Sequence, residues 1–283
     1  MLCYLGSRCR QVVGTSLAAS YLRQRPSPPP SLILNLVNYV KHKTHGGLDQ
    51  AVDVGCGSGQ ITRALAPNFR TVLGLDVSQA QLDIAQSVPN PANVSYCLLK
   101  GEDPYPVEDE SVALVTSCMA AHWFDMPKFF TQVDRVLVKG GVLALIGYHI
   151  PQPQWPGKTQ VLKDIMYDFY WNKIGQHFGR TARDEIDLEY RTPKYAWPSA
   201  HEILRESAHH TDVVMSLASL GDYVTTMSGY TGYRHHYGDE AAQTIKNDLL
   251  RRLLTALEVP SSAEDTMLPM RFHYFASYAS KQP

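Results

Sequence analysis

Between residues 50 and 148, short apolar runs alternate with segments whose apolar positions follow helical spacing. The apolar runs predict strands at 51–54, 71–75, 94–98, 112–116 and 141–147. The segments between them predict helices at 60–65, 79–86 and 129–137. Strands and helices that alternate at this spacing form right-handed βαβ units. The pattern therefore predicts a doubly wound α/β fold whose mostly parallel sheet is covered on both faces.

The rhythm changes on both sides of this region. A proline-containing arm precedes a helical stretch at 32–40, and a proline connector follows residue 150. Helical stretches then continue to about residue 257, with a strand near 213–217, and the tail "MRFHYFASYAS" alternates like a strand. We expect one domain, 1–283, in four parts. These are an arm with the first helix (1–45), a ligand-binding half (46–150), a lid-like helical insertion after the fifth strand (151–205) and a C-terminal part that completes the sheet (206–283).

Composition narrows the class of protein. The 283 residues are 44% hydrophobic and 19% charged, with a net charge of −1, which suits a globular protein without a field for nucleic acid or an anionic membrane. No apolar run approaches the ~20 residues of a membrane helix. The five cysteines contain no C-x-x-C, so we expect neither disulfides nor a metal site, and a reducing compartment such as the cytoplasm. Six basic residues and no acid precede Asp49, a bias that mitochondrial presegments share.

The stretch "AVDVGCGSGQITRAL", residues 51–65, places Gly55, Gly57 and Gly59 between a predicted strand and a predicted helix. A dinucleotide-binding loop would have a third glycine where Gln60 stands. Asp53 would also repel a pyrophosphate, whereas it suits a ligand that carries an ammonium and a sulfonium. The spacing D-x-G-x-G-x-G therefore favours S-adenosylmethionine over NAD.

A second acid strengthens this interpretation. Asp76 ends the next predicted strand, where a carboxylate can accept from both hydroxyls of a ribose. NAD would use the same acid, so Asp76 alone does not discriminate. A single aspartate more often caps a helix. Two acids at strand ends, one βαβ unit apart and on either side of a glycine loop, favour a cofactor site.

Four segments resemble the successive motifs of class I S-adenosylmethionine-dependent methyltransferases. They are "VDVGCGSGQITRAL", "VLGLDVSQAQLDIAQ", "VEDESVALVTSCMAAHWFD" and "DRVLVKGGVLAL". The stretch "AAHWFD", with "YLRQRPSPP" upstream, resembles more narrowly the trans-aconitate methyltransferase-like group of small-molecule enzymes. The resemblance implies a seven-stranded, Rossmann-like methyltransferase sheet. It also implies that residues 10–29 belong to the mature enzyme, which favours the cytoplasm over the mitochondrion.

The resemblance assigns cofactor contacts to the arm, the glycine loop and the next two strand ends. These are Tyr21, Arg25, Asp53, Gly55, Cys56, Gly57, Gly59, Gln60, Asp76, Val77, Glu102 and Asp103. Val77 would pack on adenine, and Glu102 or Asp103 would bind the adenine amino group. Arg25 would pair with a carboxylate of the cofactor or of the substrate.

Three further residues are predicted to face the methyl acceptor. His122 and Trp123 follow the fourth strand, where a parallel sheet presents side chains to its ligand, and Tyr148 follows the fifth. His122 is predicted as the catalytic residue, either a donor to an anionic substrate or a weak base, and Trp123 would pack on the sulfonium or the acceptor. No acid–base pair accompanies them, and a carboxylate acceptor needs none because it is ionised at neutral pH.

The sequence therefore predicts in-line methyl transfer to a small molecule, with a carboxylate oxygen as the leading acceptor. Two alternatives from other classes stay open at this stage. One is a cofactor-binding protein that works by association without catalysis, and the other, opposed by Asp53 and Gln60, is an NAD-dependent oxidoreductase. We expect no nucleic acid or membrane partner, and the acceptor's identity and the oligomeric state remain open.

Overall fold

The computed structural model describes residues 25–178 and 182–282. Its sheet has eight strands, in the order β3-β2-β1-β4-β5-β8, with β6 and β7 also paired to β8. The strands are β1 (Gln50–Val54), β2 (Thr71–Asp76), β3 (Val94–Leu98), β4 (Val112–Cys118), β5 (Leu137–Tyr148), β6 (Gln152–Pro153), β7 (Ala200–Ser216) and β8 (Met267–Lys281). The first five pair in parallel, and β8 runs antiparallel to its partners. The doubly wound α/β fold is confirmed, and the two-residue β6 brings the expected seven strands to eight.

Nine α-helices flank the sheet in the part of the chain that the structure describes. They are α1 (Pro30–Lys43), α2 (Gln60–Leu65), α3 (Gln79–Ser87), α4 (Met126–Val136), α5 (Thr159–Tyr167), α6 (Ala182–Asp187), α7 (Leu217–Thr225), α8 (Ser228–Tyr237) and α9 (Asp239–Leu257). A π-helical turn, Asp168–Lys173, continues α5. Within the described ranges, no helix combines the length and apolarity needed to cross a membrane.

Alternate residues of the central strands feed two apolar cores, one on each face of the sheet. In β5, Ala144 and Ile146 face the core that contains α1, whereas Leu143 and Leu145 face the core that contains α4. Because helices cover both faces of the central strands, the sequences of these strands are continuous apolar runs and do not alternate between apolar and polar residues. This burial explains why the runs at β1, β2 and β4 could be found from their composition.

Strand β5 begins four residues earlier than predicted. Leu137 pairs with Val112, and after an irregularity the register resumes with Val142 opposite Leu114. Gly140, with φ of +74°, and Gly141 lie inside this irregular stretch. The predicted helix at 129–137 therefore ends at Val136, and the turn expected at Gly140 and Gly141 lies within the strand.

Strand β7 is longer than the sequence indicated. It runs from Ala200 to Ser216, so it begins inside the range 151–205 that was expected to be a helical insertion. Helices α7 to α9 then fill the stretch between β7 and β8. Two helical segments, one before and one after β7, contribute residues to the cavity at the carboxyl ends of the strands.

Candidate functional site

The main cavity, of about 270 Å³, opens at the carboxyl ends of the parallel strands. One part of its wall comes from the glycine loop after β1, the end of β2, and residues 99–102. The other part comes from residues 118–124, residues 148–150 and the two helical segments that follow β5 and β7. The strand order reverses between β1 and β4, which is where ligands bind in doubly wound sheets.

Glycine is required at the three positions of the loop for different structural reasons. All have positive φ: +70° at Gly55, +54° at Gly57 and +81° at Gly59. A Cβ on Gly55 would lie 2.4 Å from Ala120 Cβ, and one on Gly59 would lie 2.3 Å from Tyr96 Oη. A Cβ on Gly57 would have no neighbour closer than 3.8 Å, and Gly57 lines the main cavity. Gly55 and Gly59 therefore allow close packing within the protein, whereas Gly57 leaves room on the ligand side.

Asp76 holds the glycine loop in place. Its Oδ2 accepts from the Gly57 N–H at 2.8 Å, and its Oδ1 accepts from the Ser78 N–H at 2.8 Å. The side chain also lines the main cavity, and burial raises the pKa of this carboxyl above its ordinary value. Val77, next along the chain, is 41% exposed and lines the same cavity. Asp76 is thus both a loop anchor and a candidate ribose ligand.

Asp53 occupies a different position from Asp76. It is 1% exposed, and hydroxyls of Thr116 and Thr62 donate to its two carboxylate oxygens at 2.9 and 2.7 Å. Burial raises its pKa to about 6. Asp53 borders a smaller cavity of about 50 Å³ beside the glycine loop and is not part of the main cavity's wall. Its direct contact with a cofactor therefore stays a prediction.

The smaller cavity brings Cys56, Gln60 and Arg25 together. Gln60 Oε1 accepts from Ser58 Oγ at 3.1 Å, whereas its buried Nε2 has no hydrogen-bond partner among the described residues. On the main cavity's wall, the buried Oε1 of Gln81 likewise lacks a partner in the described ranges. One buried amide donor, Gln60 Nε2, and one buried amide acceptor, Gln81 Oε1, are thus available for hydrogen bonds with a ligand near the glycine loop.

Of the two acids predicted at the adenine end, Glu102 lines the main cavity and Asp103 does not. Glu102 Oε1 accepts from the Asp125 N–H at 2.9 Å, which connects residues 99–102 to the start of α4. Phe124 also lines this end, and a Cβ on Gly101 would lie 3.0 Å from its ring. Sequence reasoning missed Phe124, although it stands within the quoted "AAHWFD" motif.

His122 and Trp123 lie in a 3₁₀ turn, Ala121–Trp123, and both line the main cavity. The His122 ring is 8% exposed, and its Nδ1 lies 3.0 Å from Tyr190 Oη. Burial, with a smaller effect from Lys194, lowers the pKa of His122 to about 3. The imidazole is therefore neutral at physiological pH. The Trp123 ring centroid lies 4.9 Å from that of His122.

Arg25 and Tyr148 border both cavities. One Arg25 nitrogen, Nη1, donates to Tyr148 Oη at 3.0 Å, and Nη2 donates to the Thr226 carbonyl at 3.2 Å. The guanidinium also lies 5.0 Å from the centre of the Tyr223 ring. These three contacts are with neutral groups. The predicted contact Tyr21 lies outside the described residues.

Several cavity residues carry no motif that sequence reasoning could use. Met119 has a positive φ of +56°, and its Sδ accepts from the Tyr148 N–H at 3.3 Å. Tyr170, Phe178 and Met227 come from the helical segments after β5 and β7. Their spacing resembles that of ordinary core positions, and only the fold brings them to the cavity.

The chain is similar to known methyltransferases in sequence and in structure. The family model described as a methyltransferase domain matches residues 52–145. A Dictyostelium discoideum protein named as a methyltransferase is 30% identical over 240 residues, 85% of this chain and 86% of that protein. A Saccharomyces cerevisiae protein, named as a probable S-adenosylmethionine-dependent methyltransferase, is 25% identical and covers 92% of this chain and 94% of its own length.

A solved structure shares the fold. It is described as a type II methyltransferase from Anaeromyxobacter dehalogenans, with a TM-score of 0.69 and 21% identity over 92% of this chain and 99% of that one. That structure shows the fold alone, whereas the Dictyostelium relative, 30% identical over 85% of this chain, places the protein among the methyltransferases. The chain belongs to the S-adenosylmethionine-dependent methyltransferases, and its cofactor is S-adenosylmethionine.

The site fits this cofactor. Gln60 Nε2 is a buried donor without a partner in the described structure, which suits a carboxylate such as that of methionine. Gln81 Oε1 is a buried acceptor beside Asp76, and together they suit ribose hydroxyls. The open side of Gly57 leaves space between these two ends. The family excludes the NAD-dependent alternative.

Proposed function

We propose that this methyltransferase acts on a small molecule and that the accepting group is a carboxylate oxygen. The observation that carries the proposal is the state of His122 on the cavity wall. Its pKa of about 3 makes it a poor base, and burial also raises the pKa of the neighbouring Cys118 thiol. An acceptor that must lose a proton, such as a phenol or an ammonium, would find little help at the end of β4. A carboxylate arrives ionised and needs none.

S-adenosylmethionine, when bound, supplies a methyl group on a sulfonium, and transfer to a carboxylate oxygen breaks the carbon–sulfur bond to leave a neutral ester and a neutral thioether. The residues of this chain would hold and orient the two reactants. Asp76 and Gln81 would hold the ribose, Gln60 and Arg25 the methionine carboxylate, and Val77 the adenine ring. His122 and Trp123 would face the acceptor and exclude water from the reacting atoms.

The charges of the cavity wall also favour an anion. Its described acids, Asp76 and Glu102, stand at the end that we assign to the cofactor. The walls formed by residues 118–124, 148–150 and the two helical segments contribute no Asp or Glu among the described residues. A cationic amine acceptor would therefore lack a counter-charge there. From the resemblance of "AAHWFD" and "YLRQRPSPP" we propose that the chain is related to the trans-aconitate methyltransferase-like group in its fold and cofactor site rather than in its acceptor, and from its cysteine usage that it works in the cytoplasm.

The experiment is a methyl-transfer screen with the purified chain, labelled S-adenosylmethionine and panels of carboxylic acids, phenols, thiols and amines. We expect label in a product that mild base releases, which is the behaviour of a methyl ester. Gly57→Val is the matched inactive control, since φ of +54° opposes a branched residue and its side chain would enter the cavity. Label in base-stable products only would overturn the carboxylate assignment. Cofactor binding without any transfer would favour the non-catalytic alternative.

A further inference from the structure

The part of the cavity that faces the acceptor is lined by an apolar wall. We define this wall by its six residues, which are Ile150, Tyr170, Phe178, Ala182, Ile186 and Met227. Four of these side chains are less than a tenth exposed, and the rings of Tyr170 and Phe178 lie 5.0 Å apart. The wall combines residues from both helical segments, the one that follows β5 and the one that follows β7. Its chemistry suits hydrocarbon rather than a second charged group.

Among the described residues, the charged side chains that line the cavity are Arg25, Asp76, Lys100 and Glu102, and none of them belongs to this wall. Asp76, Lys100 and Glu102 belong to the opposite, cofactor end of the cavity. Arg25 lies at the junction of the two cavities, and His149, also on the wall's border, has its Nε2 3.3 Å from Glu189 Oε1. Because Arg25 is assigned to the methionine carboxylate of the cofactor, the carboxylate of the acceptor is placed beside His122. A second carboxylate on the same acceptor would be desolvated against aliphatic and aromatic groups.

We propose that the acceptor is a monocarboxylic acid with a hydrocarbon body that packs on the apolar wall. This inference rests on the proposed function, because it assumes that the accepting group is a carboxylate. The carboxylate would approach His122 at the end of β4, and the hydrocarbon would extend towards Phe178 and Met227. A di- or tricarboxylic acid of the same length would place an unpaired charge on that wall.

The test is a series of straight-chain monocarboxylic acids of increasing length, each paired with the dicarboxylic acid of the same length. With labelled S-adenosylmethionine, we expect kcat/KM to rise about fourfold per added methylene until the wall is covered. Each dicarboxylic acid should react at least about a hundredfold less well than its partner. As a readout without turnover, the longer monocarboxylic acids should raise the Tm of the protein in the presence of S-adenosylhomocysteine.

Two variants make the test specific to the wall. Met227→Ala should shift the optimum to a longer acid, because it shortens a side chain that is 6% exposed on the cavity wall. Val161→Ala, on α5 and 46% exposed, is the control and should keep the wild-type profile. A flat dependence on chain length, or preferred turnover of dicarboxylic acids, would overturn this inference and leave the carboxylate function standing. Failure to methylate any carboxylic acid would overturn the proposed function itself.

A second inference comes from the hydrogen bond between His122 and Tyr190. Both side chains are buried, and Tyr190 Oη lies 3.0 Å from His122 Nδ1. Burial keeps the phenol protonated by raising its pKa. The imidazole is the one hydrogen-bond partner of this hydroxyl among the described residues. A buried O–H needs an acceptor, so Tyr190 donates and Nδ1 accepts.

The structure assigns Tyr190 as a positioning residue that sets the tautomer of His122. Because Nδ1 accepts, the single ring proton of the neutral imidazole lies on Nε2. In the described structure Nε2 has no protein partner and His122 lines the cavity, so this proton faces the ligand. An N–H in that position can donate to a carboxylate oxygen of the acceptor, which would orient the other oxygen for transfer.

The test combines Tyr190→Phe with NMR of ¹⁵N-labelled imidazoles. In the wild-type protein we expect the proton of His122 on Nε2, and in Tyr190→Phe a mixture of tautomers with kcat/KM lowered about tenfold and cofactor affinity retained. Tyr195→Phe removes a neighbouring buried phenol, whose ring centroid lies 4.7 Å from that of Tyr190, and should change neither signal nor rate. A proton on Nδ1 in the wild-type protein, or an unchanged spectrum in Tyr190→Phe, would overturn the assignment.

Discussion

Asp76→Ala removes a carboxylate that shapes the glycine loop before any ligand binds. The Gly57 and Ser78 N–H groups, each 2.8 Å from an Asp76 oxygen, both lose a charged acceptor. Hydrogen bonds to charged groups contribute about 1.5–3 kcal/mol each, which sets an upper limit of roughly 6 kcal/mol. Two effects reduce this figure. Water in the cavity can replace the acceptor, and the variant no longer buries an ionised group whose pKa burial has raised.

We therefore expect Asp76→Ala to lower the free energy of unfolding by about 2 kcal/mol, which urea titration measures. The same variant should bind S-adenosylhomocysteine about 10- to 100-fold more weakly in calorimetric titration, since the candidate ribose ligand is lost with the loop anchor. Asp76→Asn keeps one oxygen acceptor and nearly the same volume. It should lose about half as much stability and a similar share of affinity.

Asp83→Ala provides the matched control. Asp83 lies on the surface of α3 and accepts from Gln79 Nε2 at 2.7 Å, without contact with the glycine loop. Its removal should change stability by less than about 0.5 kcal/mol and leave affinity unchanged. If Asp76→Ala unfolds like the wild-type protein and binds as tightly, then neither the loop anchor nor the ribose role of Asp76 holds.

Three further predictions follow from the site. Asp53→Asn should flatten the pH dependence of stability. Because folding raises the pKa of Asp53 from 3.8 to about 6, the wild-type protein should lose roughly 3 kcal/mol of stability as the pH rises from about 4 to 7, which urea unfolding measures. Gly59→Ala should lower the free energy of unfolding by about 2 kcal/mol in calorimetry, since its Cβ would meet Tyr96 Oη at 2.3 Å. His122→Ala should lower kcat/KM about 10- to 100-fold in the methyl-transfer assay, with nearly unchanged cofactor affinity.

Each of these predictions has a control or a contradicting result. If the free energy of unfolding changes equally with pH in the wild-type protein and in Asp53→Asn, then folding does not raise the pKa of Asp53. Gly46→Ala has a similar φ of +97° but no atom within 4 Å of its Cβ, so it isolates backbone strain from the clash expected at Gly59. Wild-type turnover in His122→Ala would remove His122 from the acceptor site.

The cofactor half was predictable because its information is local. Helices cover both faces of β1, β2 and β4, so each of these strands is a short apolar run, and each glycine or acid stands at a fixed distance from such a run. The strands at 94–98 and 71–75 agree with β3 and β2 within one residue. The spacing of Asp53, Gly57 and Asp76 could therefore be converted into positions at the carboxyl ends of neighbouring strands.

Strand β7 shows where local information ends. Its residues "AHEILRESAHHTDVVMS" carry charges on a strand that pairs with β8 along one edge. Glu206 and Asp212 are tolerated there because an edge strand is partly solvated. Charged residues at irregular spacing are typical of a surface helix. The sequence therefore predicted only the end of this strand, near 213–217. The pairing partner lies more than 50 residues away and was not visible in the local pattern.

The chemistry of the site was only partly predictable. Sequence spacing placed Asp53 near the loop, but it could not show that hydroxyls of Thr62 and Thr116, which come from two other elements, occupy its oxygens. Tyr190 likewise stands 68 residues after His122, in a segment without a motif. Thr116 reaches Asp53 through the pairing of β4 with β1, and Tyr190 reaches His122 because α6 packs on the turn that follows β4; no short window of sequence contains either arrangement.

Strand β8 has a consequence for how the chain can be made. It is the last strand in sequence, yet it lies between β5 and β7 in the sheet, so its hydrogen bonds join the two helical segments to the cofactor half. During synthesis, residues up to 266 would leave the ribosome before β8, the strand that joins the two helical segments to the cofactor half. Until then β5 would present an open apolar edge, a hazard for association between nascent chains. A premature stop before Met267 would therefore yield an insoluble product rather than a smaller enzyme.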